Sequence, residues 1–222
     1  LTAGRASTDG GGDYTIGGLP PGTYKLRTSN TAGYVNQVYR TPTPLTCSPS
    51  PCTPAAGSGV VVAGAVSGIN LALSPGGTIS GTAADLFNNP LPSGTAVLLD
   101  SNGIEVLPPP ISNGRFEFNG LANGSYYVLI RNNSGLIDLL FPNVPCPAGA
   151  CNITAVGTPI VLASLRAGAS VQSVSNIDLR LPAGRAIAGR VASGATAVVG
   201  ATVYIFDASG TVVGSRVTDA LG

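Results

Sequence analysis

The sequence contains no histidine, no tryptophan and no methionine among its 222 residues, and one lysine, Lys25. Without imidazole there is no histidine general base, metal ligand or haem ligand. Charge is scarce too. Charged side chains make up 9% of the chain and the net charge is +1, against roughly 25% charged residues in an ordinary globular protein. Scattered cations in this number cannot build the basic face that a phosphate backbone requires. No apolar run approaches the roughly 18–20 residues that cross a bilayer as a helix. The oiliest stretch, GVVVAGAV at 59–66, is short and holds two glycines.

What the chain has in abundance is glycine (31) and proline (18). These punctuate short runs of Val, Ile, Leu, Tyr and Phe that alternate with polar residues, as half-buried strands do. Disordered chains lack such runs. Helical periodicity is nearly absent, so the fold class is all-β with many short strands.

Internal repetition organises these strands. GDYTIGGLPPGTY (12–24) matches GRFEFNGLANGSY (114–126), and CSPSPC (47–52) matches CPAGAC (146–151). SGINLALSPGGTISGT (67–82) matches SNIDLRLPAGRAIAGR (175–190), PSGTAVLLDSNG (92–103) matches VVGATVYIFDASG (198–210), and STDGGG (7–12) matches VTDALG (217–222). The period is about 105 residues, the size of one β-sandwich module. Tandem Ig-like or transthyretin-like sandwiches are therefore expected. The hinges SPGG (74–77) and LPAG (181–184) set the phase: residues 1–73 are the C-terminal part of one module, 74–181 a complete module, and 182–222 the N-terminal part of a third. On this phase both ends are expected to fall inside a module, where a severed sandwich exposes edges and half a core.

In the complete module, strands are expected at 78–83, 95–100, 115–118, 125–131, 159–163 and 175–181. Phe116 and Phe118 point inward, as do Tyr126, Val128 and Ile130, and Ile177, Leu179 and Leu181. DSNG (100–103) is a hairpin turn, with Asp100 capping its own loop. Tyr127 and Leu129 face the other way, and so does one pair among Val203, Tyr204, Ile205 and Phe206. That leaves oily outer faces, covered either by the cysteine-bearing insertions or by another chain.

Thr8-Asp9, Gly12, Tyr14, Leu19-Pro20-Pro21-Gly22 and Tyr24, followed by Gly33-Tyr34, resemble the signature of carboxypeptidase regulatory-like repeats. These are transthyretin-like (prealbumin-like) sandwiches, akin to the B-type repeats of collagen adhesins. The middle module has Ala122-Asn123 where the first has Pro20-Pro21. The resemblance covers all but the cysteine-bearing insertions. It implies a β-sandwich in a long, secreted or surface-attached bacterial protein; fold-level likeness says little about function.

Four cysteines form two C-x4-C pairs, Cys47 with Cys52 and Cys146 with Cys151, each in a proline-rich loop. A zinc site would have to gather all four thiolates from separate modules without histidine. One disulfide per loop is the expected arrangement, stabilising by roughly 2 kcal/mol in the chain-entropy model and implying an oxidising compartment.

No catalytic, cofactor-binding or metal site is expected, and no enzyme activity. Asp9, Asp13, Asp100, Asp207 and Asp219 sit in turns, where Asx-turns explain them better than calcium. Glu105 and Glu117 do not read as a glycosidase pair, because Glu117 faces outward. Lys25 points away from the core, which argues against a Lys–Asn cross-link. Sequons stand at Asn123, Asn132 and Asn152.

Short proline-containing hinges restrict rotation, so modules should form a semi-rigid rod. The expected role is a structural segment of a surface fibre or extracellular filament. Its partners are copies of itself or neighbouring repeats, head to tail, with no nucleic acid and no membrane span. A continuous chain is favoured over completion by a neighbouring copy, because residues 3–9 and 213–219 compete for one strand position. The alternatives are an adhesin or carbohydrate-binding module, for which Tyr34 and Tyr39 are the candidates, and an accessory domain of a secreted peptidase.

Overall fold

A computed structural model describes residues 3–48, 52–107, 111–147, 151–163 and 172–222. The interiors of both cysteine loops, 49–51 and 148–150, lie outside the described residues.

Strands and turns dominate. The first segment holds β1 (Gly22–Tyr24), β2 (Gln37–Val38), β3 (Leu45–Thr46) and β4 (Val60–Val62), with a 3-10 turn at Pro54–Ala56. The central segment holds β5 (Gly77–Asp85), β6 (Thr95–Leu99), β7 (Glu105–Leu107), β8 (Arg115–Leu121) and β9 (Gly124–Arg131). It continues with β10 (Leu139–Leu140), β11 (Val144–Pro145), the one-turn helix α1 (Ile153–Val156), β12 (Ile160–Leu162) and β13 (Leu179–Leu181). The last segment holds β14 (Ala192–Ser193), β15 (Thr196–Ala197), β16 (Thr202–Phe206) and β17 (Val212–Val217).

The central segment is a β-sandwich. One sheet has the order β13-β5-β8, with β13 parallel and β8 antiparallel to β5. The other has the order β11-β10-β9-β6-β7, with β12 also pairing β9. Strand alternation decides which side chains meet between them. Ile79, Phe116, Phe118, Leu179 and Leu181 of the first sheet pack against Ala96, Leu98, Tyr126, Val128 and Ile130 of the second. All are buried.

The second sheet is buried on its outer face as well. Val97, Leu99, Tyr127 and Leu129, the odd members of the same alternation, pack under Leu140 and Cys146, with Val144, Cys151 and Ile153 alongside. The cysteine-bearing insertion is therefore a third layer, and in this module it covers the oily outer face.

Asp100 closes the β6–β7 hairpin by accepting the Asn102 and Ile104 N–H groups at 2.8 and 2.9 Å. Gly103 then takes φ +75°, a left-handed conformation that β-branched residues resist. A side chain there would meet no neighbour, so the penalty is one of backbone alone. Gly103→Val is expected to lower stability by about 1–2 kcal/mol and Gly103→Asn by less, read by chemical denaturation.

The flanking segments differ from the centre. The β16–β17 hairpin is exposed along all of β16, and Ile69, Leu71 and Leu73 are only half-buried. By the sequence match Ile187 stands where Ile79 stands, yet Ile79 is 0% exposed and Ile187 85% exposed.

Candidate assembly surface

The contacts between segments begin with the hinges. Residues 74–76 bridge residues 33–35: the Val35 N–H donates to the Ser74 carbonyl at 2.9 Å and the Gly76 N–H to the Gly33 carbonyl at 2.8 Å. At the second hinge the Ile137 N–H donates to the Pro182 carbonyl at 2.9 Å and the Gly184 N–H to the Gly135 carbonyl at 2.8 Å. Tyr34 pairs Pro75, and Leu136 pairs Ala183, in the same antiparallel sense. Gly33 and Gly135 take φ +80° and +78°, turning each loop toward its hinge. Two backbone bonds per joint restrain rotation more than a proline-containing linker alone.

The loops that present these edges are built alike. Asn30 accepts the Ala32 and Tyr34 N–H groups, and its amide donates to the Tyr34 carbonyl and to Asn36. Asn132 accepts from Ser134 and Leu136 and donates to the Leu136 carbonyl and to Asp138. The tyrosine of each L-x-x-G-x-Y run closes its own turn. Tyr24 donates to the Pro20 carbonyl at 2.7 Å and Tyr126 to the Ala122 carbonyl at 2.8 Å.

Tyr126 also joins two segments. Its hydroxyl meets the Ser48 hydroxyl at 2.5 Å, and Ser48 Oγ accepts the Ala122 N–H at 3.0 Å. Ser48 follows Cys47, so the first cysteine loop rests on the turn of the central sandwich. Arg27, Thr28, Ser48, Asn119 and Leu121 line a cleft of about 170 Å³ at this joint.

Burial pushes the Tyr126 phenol above its ordinary value near 10, while the Ser48 hydrogen bond opposes the shift. The folded state thus holds this proton more tightly than the unfolded chain. Its contribution to stability is present below about pH 10 and is lost as pH rises beyond it. Tyr126→Phe is expected to cost about 1–2 kcal/mol at neutral pH and to flatten the alkaline decline, measured by melting against pH.

The other candidate residues are placed as follows. Cys47 is bonded to Cys52 and Cys146 to Cys151, with Cα separations of 4.6 and 5.2 Å. Asp9, Asp207 and Asp219 accept backbone N–H groups of their own turns, as Asp100 does. Asp13 adjoins the Asp9 turn, its N–H donating to Asp9. Among the described residues no group of three or more potential metal ligands gathers. Glu105 lies 3.5 Å from Arg131 on one sheet, while Glu117 accepts from Asn119 on the other. Lys25 is exposed and donates to the Ala55 carbonyl. Of the aromatic pair, Tyr34 is exposed and Tyr39 half-buried. Among the described residues no helix is long and apolar enough to cross a membrane.

The paired hinges and the Ser48–Tyr126 contact escape a reading of the sequence. Gly-Tyr-Val at 33–35 and Gly-Leu-Ile at 135–137 have no strand periodicity. Their signals are that both follow an asparagine at the same point of the repeat and that Gly33-Tyr34 belongs to the signature-like run, neither of which points to a hinge contact.

No protein-family model matches the chain, and no curated protein matches it. Among solved structures, the chain is similar to the pilus 2b backbone protein of group B streptococcus, at 12% identity and a TM-score of 0.28. The match covers 75% of this chain and 53% of that one, so the chain spans about half of that protein's length.

Proposed function

We propose that this chain is a structural repeat segment of a secreted bacterial surface fibre or extracellular filament. The observation that carries this reading is the joint: both hinges are tied to the preceding loop by the same pair of backbone hydrogen bonds. A joint repeated in one geometry propagates a constant relation from module to module, as a rod requires. Two short disulfide loops fit an oxidising, extracellular or cell-surface setting. The role is mechanical rather than catalytic. The partners are neighbouring repeats or further copies of the chain, arranged head to tail, and they complete modules by continuation of the chain or by contact.

Electron microscopy of the native material tests this. Fibres beaded at the spacing of one sandwich module are expected. Compact single particles without a repeating bead would overturn the reading.

A further inference from the structure

The central sandwich begins and ends on neighbouring strands of one sheet, and the two run the same way. β5 pairs β13 in parallel, with Leu179 beside Ala83, Arg180 beside Ala84 and Leu181 beside Asp85. Direction decides what a pull does to such a pair. In a parallel pair the start of one strand and the end of the other lie at opposite ends of the ladder. A pull on those two points slides the strands past each other and stresses every bond between them at once. In an antiparallel hairpin the same two points lie side by side, and the bonds open one after another.

The chain delivers a pull to these points without slack. The hinge at 74–76 leads straight into Gly77, where β5 starts, and Leu181, where β13 ends, is followed at once by the hinge at 182–184.

The ties run the length of β5. The Val174 N–H donates to the Thr78 carbonyl at 2.8 Å, the Ser80 N–H to the Val174 carbonyl at 3.0 Å, and the Ile177 N–H to the Ser80 carbonyl at 3.2 Å. Asn176 takes φ +63°, and the strand ladder resumes only at Leu179. Asp178 bridges the interval. Its carboxylate accepts the Thr82 N–H at 3.0 Å and the Thr82 hydroxyl at 2.6 Å. These bonds are charge-assisted, and so stronger than the neutral ones around them. β8 grips β5 along its other edge.

We propose that β5 and the closing segment 174–181 form a clamp that carries tension through the module, with Asp178 as its strongest tie. The proposal rests on the fibre reading above and names the contact by which such a repeat resists stretching.

Force spectroscopy of the 222-residue chain, held by its two ends, tests the clamp. The central sandwich is expected to give way in one abrupt step that releases about 300 Å, the extended length of residues 77–181 less the folded span and the disulfide-closed loop. Forced unfolding follows the unfolding rate, which rises when a mutation removes a contact that must break to reach the transition state. Asp178→Ala should therefore unfold about tenfold faster at the same force. Asp178→Asn, which keeps an acceptor oxygen, should recover most of that loss. Gly103→Val is the control. It weakens the β6–β7 hairpin, which stays formed while the clamp slides, so its rate under force should hold within about twofold although chemical denaturation shows its lost stability. Thr82→Val, which removes only the hydroxyl's bond, serves the same comparison where Asp178→Ala does not fold. A rate under force that Asp178→Ala or Thr82→Val leaves unchanged overturns the proposal. So does equal acceleration by Gly103→Val, or gradual lengthening without the step. If the clamp fails these tests while native material shows beaded fibres, the fibre role stands. Compact native particles sink the fibre role instead.

Discussion

Gly81→Val unfolds the central sandwich at temperatures where the unaltered chain stays folded. Gly81 lies in the middle of β5, between β8 on one side and the segment leading into β13 on the other. A Cβ there would fall on the Ile177 carbonyl and against the Phe116 ring. Neither can retreat. The Ile177 N–H donates to the Ser80 carbonyl at 3.2 Å, and Asp178 accepts from both the N–H and the hydroxyl of Thr82. Phe116 is packed in the core. Relief requires the final strand to peel away, uncovering Ile177, Leu179 and Leu181. The expected cost is about 3 kcal/mol or more, at the upper end for overpacking. Gly189→Val is the control. Its Cβ enters open space and its φ is not positive, so valine, a better strand former than glycine, should change the melting of the isolated chain little. Thermal melting of the two variants side by side checks both expectations. Equal effects would mean that the final strand does not lie against Gly81.

The sandwich was legible where alternation is long enough to assign faces. Phe116 and Phe118, the Tyr126–Ile130 run and Ile177–Leu181 each place two or three core residues in period two, and the core they form follows from that period. Four other elements were not read. β7, β10, β11 and α1 have two to four residues each, too few to show any period. β7 and β10 form because longer strands offer them an edge, as where Leu139 and Leu140 pair with Ile130 and Leu129 of β9; β11 in turn pairs β10, and α1 is capped by Asn152. The outer apolar face was visible in Tyr127 and Leu129, and the cysteine-bearing insertion was one of the two covers expected for it; which of the two applies was not legible. That cover is a loop whose fit depends on residues far along the chain. The joint was half legible. Proline and glycine marked the hinges, while the partners at 33–35 and 135–137 show only once the chain is folded.

Removing the second disulfide, by Cys146→Ala with Cys151→Ala, is expected to destabilise the central sandwich by about 2–4 kcal/mol. Two effects combine. The bridge closes a short loop, which alone is worth roughly 2 kcal/mol through the unfolded chain. It also holds the third layer in place. Cys146 is buried against Val97, Leu99, Leu129 and Leu140, and its N–H donates to the Asp138 carbonyl at 2.8 Å. When the loop loosens, this face meets water, and each freed aliphatic side chain gives up part of its burial free energy. A dye that fluoresces on apolar surfaces should bind the variant before the main unfolding transition. Loss of loop constraint alone would not produce that signal, so the dye separates the two effects. The matching change at the first bridge, Cys47→Ala with Cys52→Ala, acts elsewhere. That loop reaches the centre only through Ser48 at Tyr126 and Ala122, so the core transition should move by less than half as much. If both pairs shift the central transition equally, or if the dye stays dark, the insertion is not the layer that keeps β6 and β9 dry.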